Sequence, residues 1–91
     1  KVRKGFRLMK YYKCYTESHE GMEGHFFCEV IDGIITRQIN AFGNDLFWAT
    51  PEAENNEEYF YTDQPEFEPT DSDQEIPKME FEQLWSKAQA S

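Results

Sequence analysis

"HFFCEVIDGIITRQINAF", residues 25–42, decides how this chain folds. Two runs rich in β-branched and aromatic residues flank Asp32-Gly33. A two-residue connection of this kind predicts a β-hairpin closed by a type I′ turn, because both turn positions need positive φ. Closing the hairpin there sets Val30 against Ile35, Cys28 against Arg37 and Phe26 against Ile39. "GND", residues 43–45, supplies a second turn, and "LFWAT", residues 46–50, a further strand. Pro51 ends that strand by withdrawing a backbone donor. If the second turn closes on Gly43-Asn44, one sheet face carries Phe26, Cys28, Val30, Ile35, Ile39, Ala41, Leu46 and Trp48, which is a workable core. A three-residue loop at 43–45 would flip the last strand.

The same register places Arg37 on the apolar face, where an arginine is rare unless it is paired. Three readings follow. Arg37 snorkels from a strand end, or a bulge turns it outward, or it has a structural role, pairing with a carboxylate of the acidic segment 51–75 and pinning that segment to the sheet.

Outward from the hairpin, "MKYYKCY" (9–15) has strand character and "TESHEGMEG" (16–24) is a polar, glycine-punctuated loop. A register with Lys13 facing Glu29 places Tyr12 by Val30 and Cys14 by Cys28, and it satisfies a charge pair. Downstream, "IPKMEFEQLWSKAQA" (76–90) predicts a helix. Pro77 suits a first turn, and Phe81, Leu84, Trp85 and Ala88 form one apolar stripe at i, i+3, i+4 and i+7. Glu80 near the start and Lys87 near the end agree with the helix dipole. The stripe needs a hydrophobic sheet face to cover. The expected fold class is therefore α+β: an antiparallel β-meander of three to five strands with one C-terminal helix packed across one face.

Ninety-one residues make a single domain with a small core, and the 16% aromatic content is enough for it to fold. The formal net charge of -9 argues against nucleic acid and anionic membranes as partners, since phosphates repel carboxylates, and favours a basic partner. Six of the nine bases lie in residues 1–13, so residues 14–91 carry 18 acids against three bases. Residues 1–8 read as a basic N-terminal extension or an expression remnant, and residues 9–91 as one domain. No apolar run approaches the ~20 residues of a membrane span. The basic start is not followed by the apolar core of a signal peptide, so the expected location is cytoplasmic, with Cys14 and Cys28 reduced.

Residues 51–75 hold ten carboxylates and no Lys, Arg or His, with Tyr59, Phe60, Tyr61 and Phe67 among them. These aromatics either complete a small core or form a surface that anchors a basic partner steered in by the acids. On the second reading the partner-binding residues are Glu57, Glu58, Tyr59, Tyr61, Asp63, Glu66 and Phe67. The other chemistries are weaker. Cys14, His19, His25 and Cys28 have zinc-ligand types but not the spacing of a common finger, and His25 and Cys28, three apart on a strand, face opposite ways. The same geometry works against a Cys/His nucleophile pair. A Cys14–Cys28 disulfide fits the strand register, but a reducing compartment opposes it. "DSDQEIPKMEFE" (71–82) imitates a calcium loop, but Ile76 stands where the sharp turn needs Gly. No catalytic residue, metal ligand or cofactor is expected.

"CEVIDGIITRQINAFGNDLFWAT" (28–50) and "DQPEFEPTDSDQEIPKMEFEQLWSKA" (63–88) together resemble a group of small acidic bacterial proteins of unknown function. The shared features are an Arg-containing strand, a Phe followed by a Gly/Asn/Asp turn, and a closing Phe-Glu-x-x-Trp helix. The chain departs from that pattern at Gln38 and Asn40, where the group has an acidic position, and at "EEYFYTD" (57–63), where it has a Leu-rich link. The resemblance implies structural motifs and no catalytic residue.

The expectation is a small acidic binding protein, immunity- or antitoxin-like, that occludes a basic protein partner without catalysis. Two alternatives stand beside it. One is an accessory or structural protein whose acidic segment is only a solvated loop; the other is a Cys/His metal-binding protein. The sequence leaves the oligomeric state open, a homodimer included.

Overall fold

The computed structural model describes residues 8–18 and 20–90. Five strands, β1 (Met9–Glu17), β2 (Glu23–Ile31), β3 (Ile34–Phe42), β4 (Asp45–Ala49) and β5 (Gln74–Ile76), precede one helix, α1 (Lys78–Gln89). The sheet order is β4-β3-β2-β1-β5, and every neighbouring pair is antiparallel. The first four strands form the expected meander, so the α+β class holds. β5 lies at the opposite edge from β4, and the acidic segment that links them crosses a whole sheet face.

The Asp32-Gly33 turn closes as expected, with φ of 53° and 83°, and Val30 pairs with Ile35. The second turn also closes on Gly43-Asn44. Only Gly43 takes positive φ there (62°), the type II′ pattern, and Ala41 pairs with Leu46 and Ile39 with Trp48.

Between the turns the expected register fails. Thr36 is an extra residue in β3, a β-bulge, so Glu29 rather than Cys28 faces Arg37. Because side chains alternate, one inserted residue moves everything beyond it to the other face. The expected single core is thereby split in two. Val30, Cys28 and Ile35 pack with Tyr12, Phe26 and Cys14 on one face. Ile39, Ala41, Leu46 and Trp48 join Tyr11 and Phe27 on the other. α1 covers the second face through Phe81, Leu84, Trp85 and Ala88, with Phe81 fully buried. Tyr61 and Phe67 from the acidic segment cover the first. With both faces covered, β2 buries four consecutive residues, Phe27 to Val30.

The first strand sits two residues from its expected register. Lys13 faces Phe27, Tyr12 faces Cys28 and Tyr11 faces Glu29. An even shift preserves the faces, and it exchanges an exposed Lys–Glu pair for a buried Tyr11–Glu29 contact. α1 begins one residue after Pro77, which stays extended (φ -68°, ψ 152°) as its cap, while Gln74–Ile76 pair with β1 instead of leading into the helix.

Candidate functional site

The acidic segment is fastened to the sheet at several points along its length. Asn55 closes the outer edge of β4: its side-chain oxygen accepts from Trp48 N (3.0 Å), its amide donates to the Leu46 carbonyl (3.2 Å), and its backbone N donates to the Trp48 carbonyl (3.2 Å). Asn56 then caps a short 3-10 turn over Glu57–Tyr59 by accepting from Glu58 N (2.8 Å). Tyr59 stacks on Phe47 (ring centroids 4.5 Å apart) and tilts against Phe42 (5.5 Å).

Gln38 makes the central attachment. It is buried on the face that the segment crosses, where its amide donates to the Phe60 carbonyl (3.0 Å) and accepts from Thr62 N (2.9 Å). A buried primary amide can bridge one backbone acceptor and one donor at once, so it acts as a stand-in for a missing strand. Between those two residues, the Tyr61 hydroxyl donates to the Ile35 carbonyl. Pro65 to Phe67 then pair along the start of β3, with Ile35 N donating to the Pro65 carbonyl and Phe67 N to the Gly33 carbonyl, both at 2.9 Å. Phe67 packs on Tyr12, ring centroids 5.0 Å apart.

The seven sequence-derived partner residues therefore fall into two sets. Glu57, Glu58, Asp63 and Glu66 are exposed, whereas Tyr59, Tyr61 and Phe67 are half-buried against the sheet. Phe60 was not among them, yet it is the aromatic of the segment that points outward, at 60% exposure. Its place between Tyr59 and Tyr61 was the available signal: in extended chain, alternate residues face opposite ways. Nine of the ten carboxylates of 51–75 are exposed, and half-buried Asp73 is the tenth. Asp73 accepts from Thr70 N (2.9 Å), and that bond, followed by contact with the Cys14 thiol, holds its carboxyl below the usual range. Burial first, and then the negative charges of Glu66 and Glu52, push the Tyr61 hydroxyl up. The one ion pair seen to reach the segment among the described residues is Lys10–Glu75 at 3.9 Å.

Arg37 does not hold the segment. The bulge turns it to the helix side, where it forms a two-pronged pair with buried Glu29 (Nε–Oε1 2.8 Å, Nη2–Oε2 2.7 Å). It also pairs with Glu82 of α1 (Nη2–Oε2 2.7 Å, Nη1–Oε1 3.2 Å). The rings of Phe81 and Trp85 lie 5.1 and 5.0 Å from its guanidinium carbon. Glu29 also accepts from Thr36 Oγ1 (2.7 Å) and the Tyr11 hydroxyl (3.0 Å), so each of its oxygens has two donors. Burial opposes ionisation of Glu29, but the bonds from Arg37 and Thr36 outweigh it and lower its pKa to about 2. Burial, and then the Glu29 carboxylate, push Tyr11 up to about 12. All of these donors and acceptors are used within the fold, so the cluster fastens the helix to the hairpin.

Cys14 and Cys28 are diagonal neighbours on the segment side of the sheet, and both are free thiols. The adjoining Cys14 thiol and burial push Cys28 up, which keeps it protonated. Strand alternation puts His25 on the opposite face, and His19 lies outside the described residues. No helix among the described residues is long and apolar enough to cross a membrane. Compared with protein-family models, curated proteins and solved structures, the chain matches none of them.

Proposed function

We propose that this chain is a small, acidic, non-catalytic binding protein of the bacterial cytoplasm, immunity- or antitoxin-like in mode, which occludes a basic protein partner. One observation carries this reading. The exposed carboxylates of residues 52–68 ride on a backbone clasped by Asn55, Gln38 and the start of β3, with Phe60 standing out among them. A solvated tether would lose conformational entropy on meeting a partner; a pre-fastened acidic surface has lost it already, on folding. The acids steer a basic surface inward, and Phe60 supplies an apolar anchor within an otherwise polar rim. Two free neighbouring thiols suit a reducing compartment.

The inward packing of Tyr59, Tyr61 and Phe67 favours the competing reading, an accessory protein whose acidic strap only completes the core. A photoreactive phenylalanine analogue at position 60 separates the two. In its native cell it should capture a basic protein. The purified pair should dissociate as salt rises, and Glu57→Gln/Glu58→Gln should weaken it about tenfold at low salt. A captured partner without basic character, bound with no salt dependence, removes the proposal.

A further inference from the structure

The two edges of the sheet are treated differently. At β4, Asn55, Ala53 and Glu54 occupy the outer backbone groups from Leu46 to Thr50. At the other edge, β1 runs from Met9 to Glu17, but β5 pairs only with Tyr11, Tyr12 and Lys13. Asp73 still flanks Cys14, but among the described residues no strand lies beside the outer edge of Tyr15–Glu17. An open edge of this kind is a template for another strand.

The side chains around it specify what that strand should carry. Glu17 and Glu23 face each other directly across β1 and β2, and like charges so placed repel. Neither has an ion-pair partner among the described residues. Tyr15 is 58% exposed, and its hydroxyl donates to Glu17 Oε2 at 2.9 Å. Beside it, the sheet face forms an open hollow of about 340 Å³ lined by Tyr15, Glu23, Gly24, His25, Ala41 and Gly43. An aromatic ring with two uncompensated carboxylates next to it is a seat for an ammonium or guanidinium group. A second copy of the chain is a poor occupant, because two bodies of charge -9 repel.

We propose that the open edge of β1, Tyr15–Glu17, is a strand-addition site for an extended basic segment of a partner protein. The partner's backbone pairs with β1, and a Lys or Arg side chain lies over Tyr15 toward Glu17 and Glu23. The inference rests on the reading above that the partner is basic, and it places part of the contact away from the acidic strap.

The test is a titration of the isotope-labelled full chain, followed by nuclear magnetic resonance, with a capped synthetic peptide of alternating Lys and Val. A second peptide is N-methylated along one backbone edge. The first peptide should shift and protect the amides of residues 15–17 and move those of Glu23 and His25. N-methylation should weaken binding at least about tenfold, since it removes the ladder donors. Glu17→Gln/Glu23→Gln should weaken it about threefold to tenfold at low salt. Shifts confined to residues 52–68 overturn strand addition and leave the acidic-strap reading standing. Equal binding of the N-methylated peptide overturns it as well. Protection of residues 15–17 without peptide, in a chain that sediments as a dimer, assigns the edge to a second copy and overturns it too.

Discussion

Arg37 and Gln38 are chain neighbours that face opposite sides of the sheet, and each holds down a different layer. Arg37 ties β2 and β3 to α1 through Glu29 and Glu82. Replacing it with Met should leave the Glu29 carboxylate buried without its cation, at a cost of about 3–5 kcal/mol in urea unfolding. Adding Glu29→Gln should recover part of that loss, because the stranded charge is then gone. The cluster also sets the pH response. Glu29 falls from 4.5 to about 2 on folding, so its stabilisation is complete above pH 4.5 and is lost as pH drops from there toward 2. That depression is worth about 3 kcal/mol. Tyr11 rises from 10.0 to about 12, so its share is complete below pH 10 and is lost between those values. Glu29→Gln should flatten the acid limb of the stability curve; an unchanged limb would show that other carboxylates carry it. Gln38→Leu predicts a different lesion. It strands the Phe60 carbonyl and Thr62 N–H, costing about 1–3 kcal/mol, and it should speed amide exchange across residues 56–68 while α1 stays protected. Loosening of α1 instead would show that the two layers are coupled.

At the scale of elements, one inserted residue explains most of what the sequence conceals. Both turns, the four-strand meander and the apolar stripe of α1 were legible because each is a local pattern. A bulge turning Arg37 outward was one reading open to the sequence, but its place at Thr36 and its direction toward the helix were not legible, because their cause is tertiary: the bulge brings Arg37 opposite Glu29 and within reach of Glu82. The trace it left is that "FFCEVI" does not alternate, as expected of a strand covered on both faces. Gln38 was equally hidden as the clasp of the acidic segment, since a glutamine in a strand pattern carries no sign of the backbone it will meet. The exposed carboxylates of the candidate site could be read from composition, but which aromatic points outward depended on where the segment is fastened. Gly24 shows how close β2 and β3 approach near the far end of the sheet. A Cβ there would stand 2.3 Å from the Ala41 carbonyl oxygen and 2.4 Å from the Phe42 ring. Backbone oxygen cannot swing aside, so Gly24→Ala should cost about 1–3 kcal/mol, read as a lower urea midpoint with unchanged slope.

At the scale of the whole molecule, charge and stability pull against each other. Among the described residues one ion pair, Lys10–Glu75, reaches the strap, so its exposed acids repel one another more than they are neutralised there. A fold of this size has only a small margin, and a gain of ~1 kcal/mol would raise its melting temperature by about 4–8 °C. The triple change Glu57→Gln/Glu58→Gln/Glu66→Gln should therefore stabilise the free protein by a few degrees at low salt. The difference should shrink when the ionic strength passes about 0.5 M, because surface repulsion is screened over a few ångströms there. The same change should weaken association with a basic partner, mainly by slowing its arrival. Stabilisation together with lost binding is what a surface kept acidic for recognition should give. If the triple variant melts lower than the parent at low salt, those carboxylates are held by local attractions, and the strap belongs to the fold rather than to a partner.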